Sequence, residues 1–153
     1  MSDERPTQTK VPAGPDEIQP DPAADPVLPG NYLLELIPVP VADLDVAKEF
    51  YVAAGFHADV DVTPAEGVRI VQLTPPGSHC SIVLSTGLNN LEMPPGSLRG
   101  LHLVVADIEA ARNDLIARGV DVQPVQDLGG VFYAAFSDLD GNTWTLQHMP
   151  WRQ

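Results

Sequence analysis

The chain has 153 residues, 44% of them hydrophobic, which suits one ordinary globular domain with a sizeable core. Its net charge of −13 and pI near 4.3 disfavour nucleic acid and anionic membranes as partners, because both carry dense negative charge. The single cysteine, Cys80, excludes an intrachain disulfide, and its run HCSIVL indicates an unreactive thiol on a buried strand.

The N-terminal segment, residues 1–30, differs in composition from the rest. It holds seven of the sixteen prolines and six acidic against two basic residues, with little apolar periodicity. We interpret it as a disordered or extended tail and place the folded domain at residues 31–153. It lacks the apolar core of a signal peptide and the chain has no run long enough to span a membrane, so we expect a cytoplasmic protein.

The first module, residues 32–85, reads β-α-β-β-β. YLLELIPVPV predicts a strand, and Pro38 and Pro40 favour an edge or bulged position. Asp43 is a suitable helix N-cap and Gly55 a suitable left-handed end. The helix between them has one apolar face, formed by Leu44, Ala47, Tyr51 and Ala54. HADVDV, GVRIVQLT and HCSIVLS predict strands, the last two joined by the turn PPGS.

The second module, residues 100–148, follows a turn-rich loop and repeats this order. GLHLVV predicts a strand, Asp107 caps the next helix, and Gly119 ends it. VDVQPV, VFYAAFS and NTWTLQHM predict the remaining strands. In the turn DLDG, backbone capping is the stronger interpretation for Asp138 and Asp140.

The two helices belong to a duplicated unit. Residues 41–56, VADLDVAKEFYVAAGF, share six identities with residues 105–120, VADIEAARNDLIARGV, where chance gives about one. The same offset of 64 pairs Gly77 with Gly141. We therefore predict an α+β fold of two tandem βαβββ modules, whose curved sheets pair around a central cleft that serves as a ligand site.

IPVPVADLDVAKEFYVAAGF, VQLTPPGS and FSDLDGNTWTLQ resemble the vicinal oxygen chelate superfamily, over residues 32–149. That superfamily includes glyoxalase I, extradiol dioxygenases, and bleomycin- and fosfomycin-resistance proteins. The resemblance implies one divalent metal held by four His, Glu or Gln side chains. The matching positions here are Leu36, Ser81, Gly100 and Thr145, which depart from that pattern at every place. We therefore predict no metal and no cofactor.

The predicted ligand site lies beside these positions. His102 and Gln147 are two residues beyond Gly100 and Thr145, so they share the cleft face, with Pro38 and Val83 on the same rung. Glu35 and His148 have the opposite parity and are expected to face away. A shifted metal site using His102 and Gln147 lacks a third donor.

Four aromatic or charged residues remain. Arg69 and Tyr133 occupy equivalent places in the two modules, and are either ligand-binding or strand-surface residues; hairpin register decides. Trp144 has helix-facing parity and is expected in the core. Trp151 follows the last strand and is a candidate for closing one end of the cleft or for a dimer contact.

The combined interpretation is a homodimeric protein that sequesters or carries a small organic ligand without a metal, as resistance proteins of the family do. No catalytic residue is assigned. The alternative is a metal-dependent lyase, isomerase or dioxygenase with a shifted metal site, or an enzyme that uses His102 as an acid or base.

Overall fold

The computed structural model describes residues 16–18 and 27–152, and these form two α-helices and nine strands. The elements in chain order are β1 (Asp16–Ile18), β2 (Leu36–Pro38), α1 (Leu44–Ala53), β3 (His57–Ala65), β4 (Val68–Thr74), β5 (Ser81–Thr86), β6 (Leu101–Val104), α2 (Ile108–Ala117), β7 (Gln126–Leu128), β8 (Val131–Ser137) and β9 (Thr143–His148). The order β-α-β-β-β occurs twice, which confirms the mixed α+β fold.

The chain divides into two compact units. The first contains the described residues up to Val39 and Asp43–Glu92, and the second contains Pro40–Ala42 and the described residues from Met93. The sheet of the first unit has the order β1-β3-β4-β5-β2, and that of the second β6-β9-β8-β7. Neighbouring strands are antiparallel except β2 with β5 and β6 with β9, which are parallel.

One helix covers one face of each sheet. In the first unit, α1 buries Leu44, Ala47 and Tyr51, and the sheet residues Val71 and Leu73 are fully buried. In the second unit, α2 buries Ile108 and Leu115, while the rings of Phe136 and Trp144 stack with centroids 6.1 Å apart. Each buried Leu, Ile, Val or Phe side chain among them contributes about 1.5–3 kcal/mol through burial. The prediction that Trp144 belongs to the core is confirmed.

The helix ends are those that the repeat predicts. Asp43 Oδ1 accepts from the backbone N–H groups of Asp45 and Val46, and Asp107 Oδ1 accepts from that of Ala110. These bonds satisfy donors that have no partner inside a helix. Each helix is followed by a glycine in the left-handed region, with φ of 106° and 94° at Gly55 and Gly119.

The turn before β9 holds the second unit together through side chain to backbone bonds. Asp138 Oδ1 accepts from the N–H groups of Asp140 and Asn142. Asn142, which is fully buried, donates to Pro40 O at 2.8 Å and accepts from Leu98 N at 3.0 Å. The prediction that Asp138 caps backbone is confirmed, since its carboxylate is committed to this turn.

Three elements differ from the sequence prediction. β1 lies inside the predicted tail and pairs with β3, so regular structure begins earlier than residue 31; residues 1–15 and 19–26 lie outside the described range. The strand predicted at residues 120–125 is replaced by β7, which begins after Pro124 because proline cannot donate to a ladder. The predicted first strand shortens to β2.

Among the described helices, none has the length and apolar character needed to cross a membrane.

Candidate functional site

One face of the second unit's sheet collects three of the six side chains predicted to bind a ligand. Trp144 of β9 is buried on the helix side, so strand alternation places Thr145 and Gln147 on the opposite face. Gln147 is the Cα partner of Tyr133 on β8, and Thr145 is the Cα partner of His102 on β6. His102, Tyr133 and Gln147 therefore lie on two adjacent rungs of one surface, which we call the helix-distal face.

A backbone carbonyl just before β6 fixes the orientation of the His102 imidazole. Its Nδ1 lies 2.7 Å from Gly100 O. A carbonyl oxygen only accepts, so Nδ1 carries the proton that it donates, and in the neutral ring Nε2 is then the acceptor. The exposed His102 side chain thus offers one oriented hydrogen-bond acceptor on the helix-distal face.

Tyr133 and Gln147 add a phenol and an amide beside this imidazole. The rings of His102 and Tyr133 meet edge to face, with centroids 6.3 Å apart at 86°. Gln147 Nε2 donates to Tyr133 Oη across 3.5 Å, which is a long bond that a better partner can replace. Because the phenol accepts in this contact, its own O–H can donate to a ligand. The surface therefore combines a donor, acceptors and aromatic area.

The residues at the family's metal positions do not fit a divalent metal. In the first unit, Leu36 pairs with Ser81, but the corresponding pair in the second unit is His102 with Thr145. If the second unit kept the register of the first, Gly100 would pair with Thr145. His102 takes that place, so the fourth metal position is His102 and not Gly100. This set supplies one imidazole and two hydroxyls, which is too few strong donors. Within the described part of the chain, no group of three or more His, Cys, Asp or Glu side chains is placed to hold a metal ion.

The Ser81 hydroxyl is already engaged in a buried polar chain within the first unit. Asp59 sits at a β-bulge, where its carboxylate accepts from Thr74 and lies 3.3 Å from His57 Nε2. Because Thr74 donates its proton to that carboxylate, the 2.5 Å contact with Ser81 is donated by the serine. No spacing in the sequence indicated this chain, since it depends on the bulge.

Arg69 lies on the helix side of the first sheet. Its Nε and Nη2 donate to Asp61 at 3.0 and 2.9 Å, and Nη1 donates to Asp45 of α1 at 2.7 Å. Lys48 of α1 also donates to Asp61, at 2.6 Å. Burial by itself raises the pKa of Asp61, but the hydrogen bonds and charges of Arg69 and Lys48 outweigh it and lower that pKa overall. Arg69 is thus a structural residue, and we exclude it from the candidate site.

Hairpin register explains why Arg69 and its repeat equivalent, Tyr133, face opposite ways. In the first unit Ile82 pairs with Leu73. Its repeat equivalent is Leu146, which would pair with Ser137 if the second hairpin had the same register. Leu146 instead pairs with Ala134, three positions earlier. A shift by an odd number of residues reverses the face of every side chain on the strand.

The other predicted site residues, Pro38 and Val83, are Cα partners in the first unit and lie on the sheet face away from α1. Their role in ligand binding stays a prediction. His148 pairs with Phe132 on the helix side of its own sheet, as its parity predicts.

The sequence predicted that Glu35 faces away from the ligand site, and this prediction is wrong. Its carboxylate accepts from Gln72, which alternates with the helix-facing residues of β4. Glu35 precedes β2 and is not held by strand alternation.

The pKa of the half-buried Cys80 thiol is raised, mainly by burial and then by the negative charge of Glu35. A raised pKa disfavours a reactive thiolate.

Sequence reasoning missed a cavity of about 430 Å³ on the helix side of the second sheet. Its lining includes Asp107, Asp127, Phe132 and His148. The strand was predicted at residues 120–125, before Asp127, so the sequence did not indicate that Asp127 aligns with Phe132 and His148.

Comparisons with known proteins agree with this architecture. The family model of the Glyoxalase/Bleomycin resistance protein/Dioxygenase superfamily matches residues 32–146. TnmS3, an antibiotic binding protein from Streptomyces sp. CB03234, is 37% identical with a TM-score of 0.68, over 78% of this chain and 98% of that one. A glyoxalase/bleomycin resistance protein from the same organism is 40% identical with a TM-score of 0.63, over 74% and 97% of the two chains.

A member of the same superfamily from Sphaerobacter thermophilus DSM 20745 is 30% identical with a TM-score of 0.67, over 77% and 98% of the two chains. No curated protein matches the chain.

Proposed function

We propose that this chain, which belongs to the Glyoxalase/Bleomycin resistance protein/Dioxygenase superfamily, binds a small organic ligand on the helix-distal face and sequesters or carries it unchanged. The observation that carries the proposal is the convergence of His102, Tyr133 and Gln147 on adjacent rungs of that face. Three different polar groups beside aromatic surface are typical of sites that fix the orientation of an organic molecule.

The ligand class that we propose is an antibiotic or a similar natural product with polar groups on an apolar body. TnmS3 is an antibiotic binding protein, and this chain covers nearly all of it at 37% identity. The His102 imidazole and the Tyr133 phenol have complementary roles, since one accepts and the other can donate. A ligand carrying both a hydroxyl and a carbonyl group would satisfy them together.

The residues favour binding without a metal over the alternative, a metal-dependent lyase, isomerase or dioxygenase. His102 is the single strong donor among the residues at the four family positions, and the Ser81 hydroxyl is committed to Thr74. Nucleophilic catalysis by Cys80 is disfavoured by the raised pKa of its thiol.

A thermal-shift screen of antibiotics and related natural products, on protein treated with EDTA, tests this function. A ligand that binds the folded state raises the melting temperature. We expect at least one compound to raise the melting temperature and to be recovered unaltered after incubation. The same compound should bind Tyr133→Phe more weakly, because that variant lacks the phenol hydroxyl. Recovery of a chemically changed compound, or binding that needs added metal, would instead support the enzyme.

We also propose that the protein forms a homodimer, as the sequence predicts. Large exposed apolar side chains support this: Tyr32 is 98% exposed and Trp151 is 71% exposed. Tyrosine and tryptophan are enriched at protein interfaces, so these two side chains are the contacts that we expect a partner chain to cover. Light scattering should give twice the chain mass of 16.4 kDa, and a value of one chain mass would contradict the proposal.

A further inference from the structure

The cavity on the helix side of the second sheet is built from one continuous rung. Asp127 on β7 is the Cα partner of Phe132 on β8, which is the Cα partner of His148 on β9. The Phe132 and His148 rings lie 5.7 Å apart at an angle of 42°. These three side chains form the floor of the 430 Å³ cavity, and the first turn of α2 forms its wall.

Three carboxylates surround this aromatic floor. They belong to Asp107, Glu109 and Asp127, and the described residues that line the cavity include no lysine or arginine. Two of them are held in place through one oxygen each: Asp107 Oδ1 accepts from Ala110 N at 3.0 Å, and Asp127 Oδ1 accepts from Gly130 N at 2.9 Å. Within the described part of the chain, the other carboxylate oxygen of each accepts no hydrogen bond and can therefore contact a ligand.

The charges around the cavity indicate whether its ligand is a cation or an anion. A helix N-terminus carries a partial positive charge equivalent to roughly half an elementary charge. The three carboxylates outweigh it severalfold, so an anion is disfavoured. The Phe132 ring also favours a cation over an anion, because the face of an aromatic ring attracts positive charge. The volume lies in the range of about 300–1,000 Å³ that is typical of small-molecule sites.

We propose that this cavity is a second ligand site, which takes an organic cation: an ammonium group whose apolar or aromatic body rests on Phe132 and His148. It lies on the side of the sheet opposite to His102, Tyr133 and Gln147. The proposal therefore goes beyond the proposed function, and either can fail without the other.

The test is a titration of the full-length ¹⁵N-labelled protein with benzyltrimethylammonium, followed by amide chemical shifts in 0.1 M salt. The comparison probes are neutral benzyl alcohol and anionic phenylacetate. We expect saturable shifts at residues 107–110 and 126–132 with the cation, and binding about tenfold weaker or absent with the other two. Salt at this concentration screens the general attraction of the acidic chain for cations.

Two variants give the assay its specificity. Glu109→Gln should weaken binding of benzyltrimethylammonium by roughly two- to fivefold, which is the range for one exposed charge pair. Its control is Glu49→Gln, which removes the same charge from the exposed side of α1 in the other unit and should change nothing. Phe132→Leu should weaken binding by a similar factor because the ring is lost.

Any of three results would overturn the second site. The cation gives no saturable shift at these residues; benzyl alcohol or phenylacetate binds as tightly as the cation; or Glu49→Gln weakens binding as much as Glu109→Gln. Because Glu109 is exposed, its variant folds whether or not Phe132→Leu does, so the outcome is interpretable in either case.

Discussion

Removing the charge of Asp61 should strongly destabilise the first unit. Its carboxylate is 2% exposed and receives three hydrogen bonds from Arg69 and Lys48. Breaking one member of a buried ion pair costs about 3–5 kcal/mol. Here both cations are partly exposed and Arg69 keeps its bond to Asp45. We therefore expect Asp61→Asn to lower the free energy of unfolding by about 3 kcal/mol, the lower end of that range.

The same variant has a defined pH dependence. The pKa of Asp61 in the folded protein lies below its ordinary value of 3.8. A depressed folded pKa stabilises above the unfolded pKa, and this contribution is lost as the pH falls through the folded pKa. Urea unfolding should therefore show the full difference between wild type and Asp61→Asn at pH 7, and a smaller one below pH about 3.8.

A matched control uses the other partner of Arg69. The Asp45 side chain is 80% exposed, so Asp45→Asn should cost less than about 1 kcal/mol. Equal costs for the two variants, or an Asp61→Asn effect that does not change with pH, would refute the view that buried charge holds α1 to its sheet.

Three further outcomes follow from the fold. Trp144→Ala should lower the free energy of unfolding by about 3–5 kcal/mol in urea, because it leaves a cavity against Phe136. Asn142→Ala should cost about 3 kcal/mol in the same assay, since the buried Pro40 carbonyl and the part-buried Leu98 N–H lose their partner. Deleting residues 1–28 should leave a cooperative unfolding transition, with a small loss from the missing β1 pairing; loss of cooperativity would show that the tail is part of the core.

The sequence was most informative where local chemistry decides structure. The duplicated helices, with an aspartate at each start and a glycine after each end, were identifiable because capping and positive φ depend on neighbouring residues alone. Strand parity within β6 and β9 placed His102 and Gln147 correctly on one face, for the same reason.

Pairing between strands was not predictable from the repeat. The two hairpins have equal spacing in sequence but differ by three residues in register, and this separates Arg69 from Tyr133. A shift of two residues between the parallel pairs similarly moved the metal position from Gly100 to His102. Both shifts depend on how whole strands pack, which a single sequence does not report.

The most direct test of the proposed function compares the same substitution on the two faces of one sheet. For a compound found in the thermal-shift screen, His102→Phe should raise Kd by roughly 5- to 150-fold, or about 1–3 kcal/mol, because a polar ligand group loses its partner. His148→Phe, on the helix side, should leave Kd unchanged. Calorimetric titration of both variants decides the matter: the opposite pattern, with normal binding by His102→Phe and loss in His148→Phe, would contradict the helix-distal site.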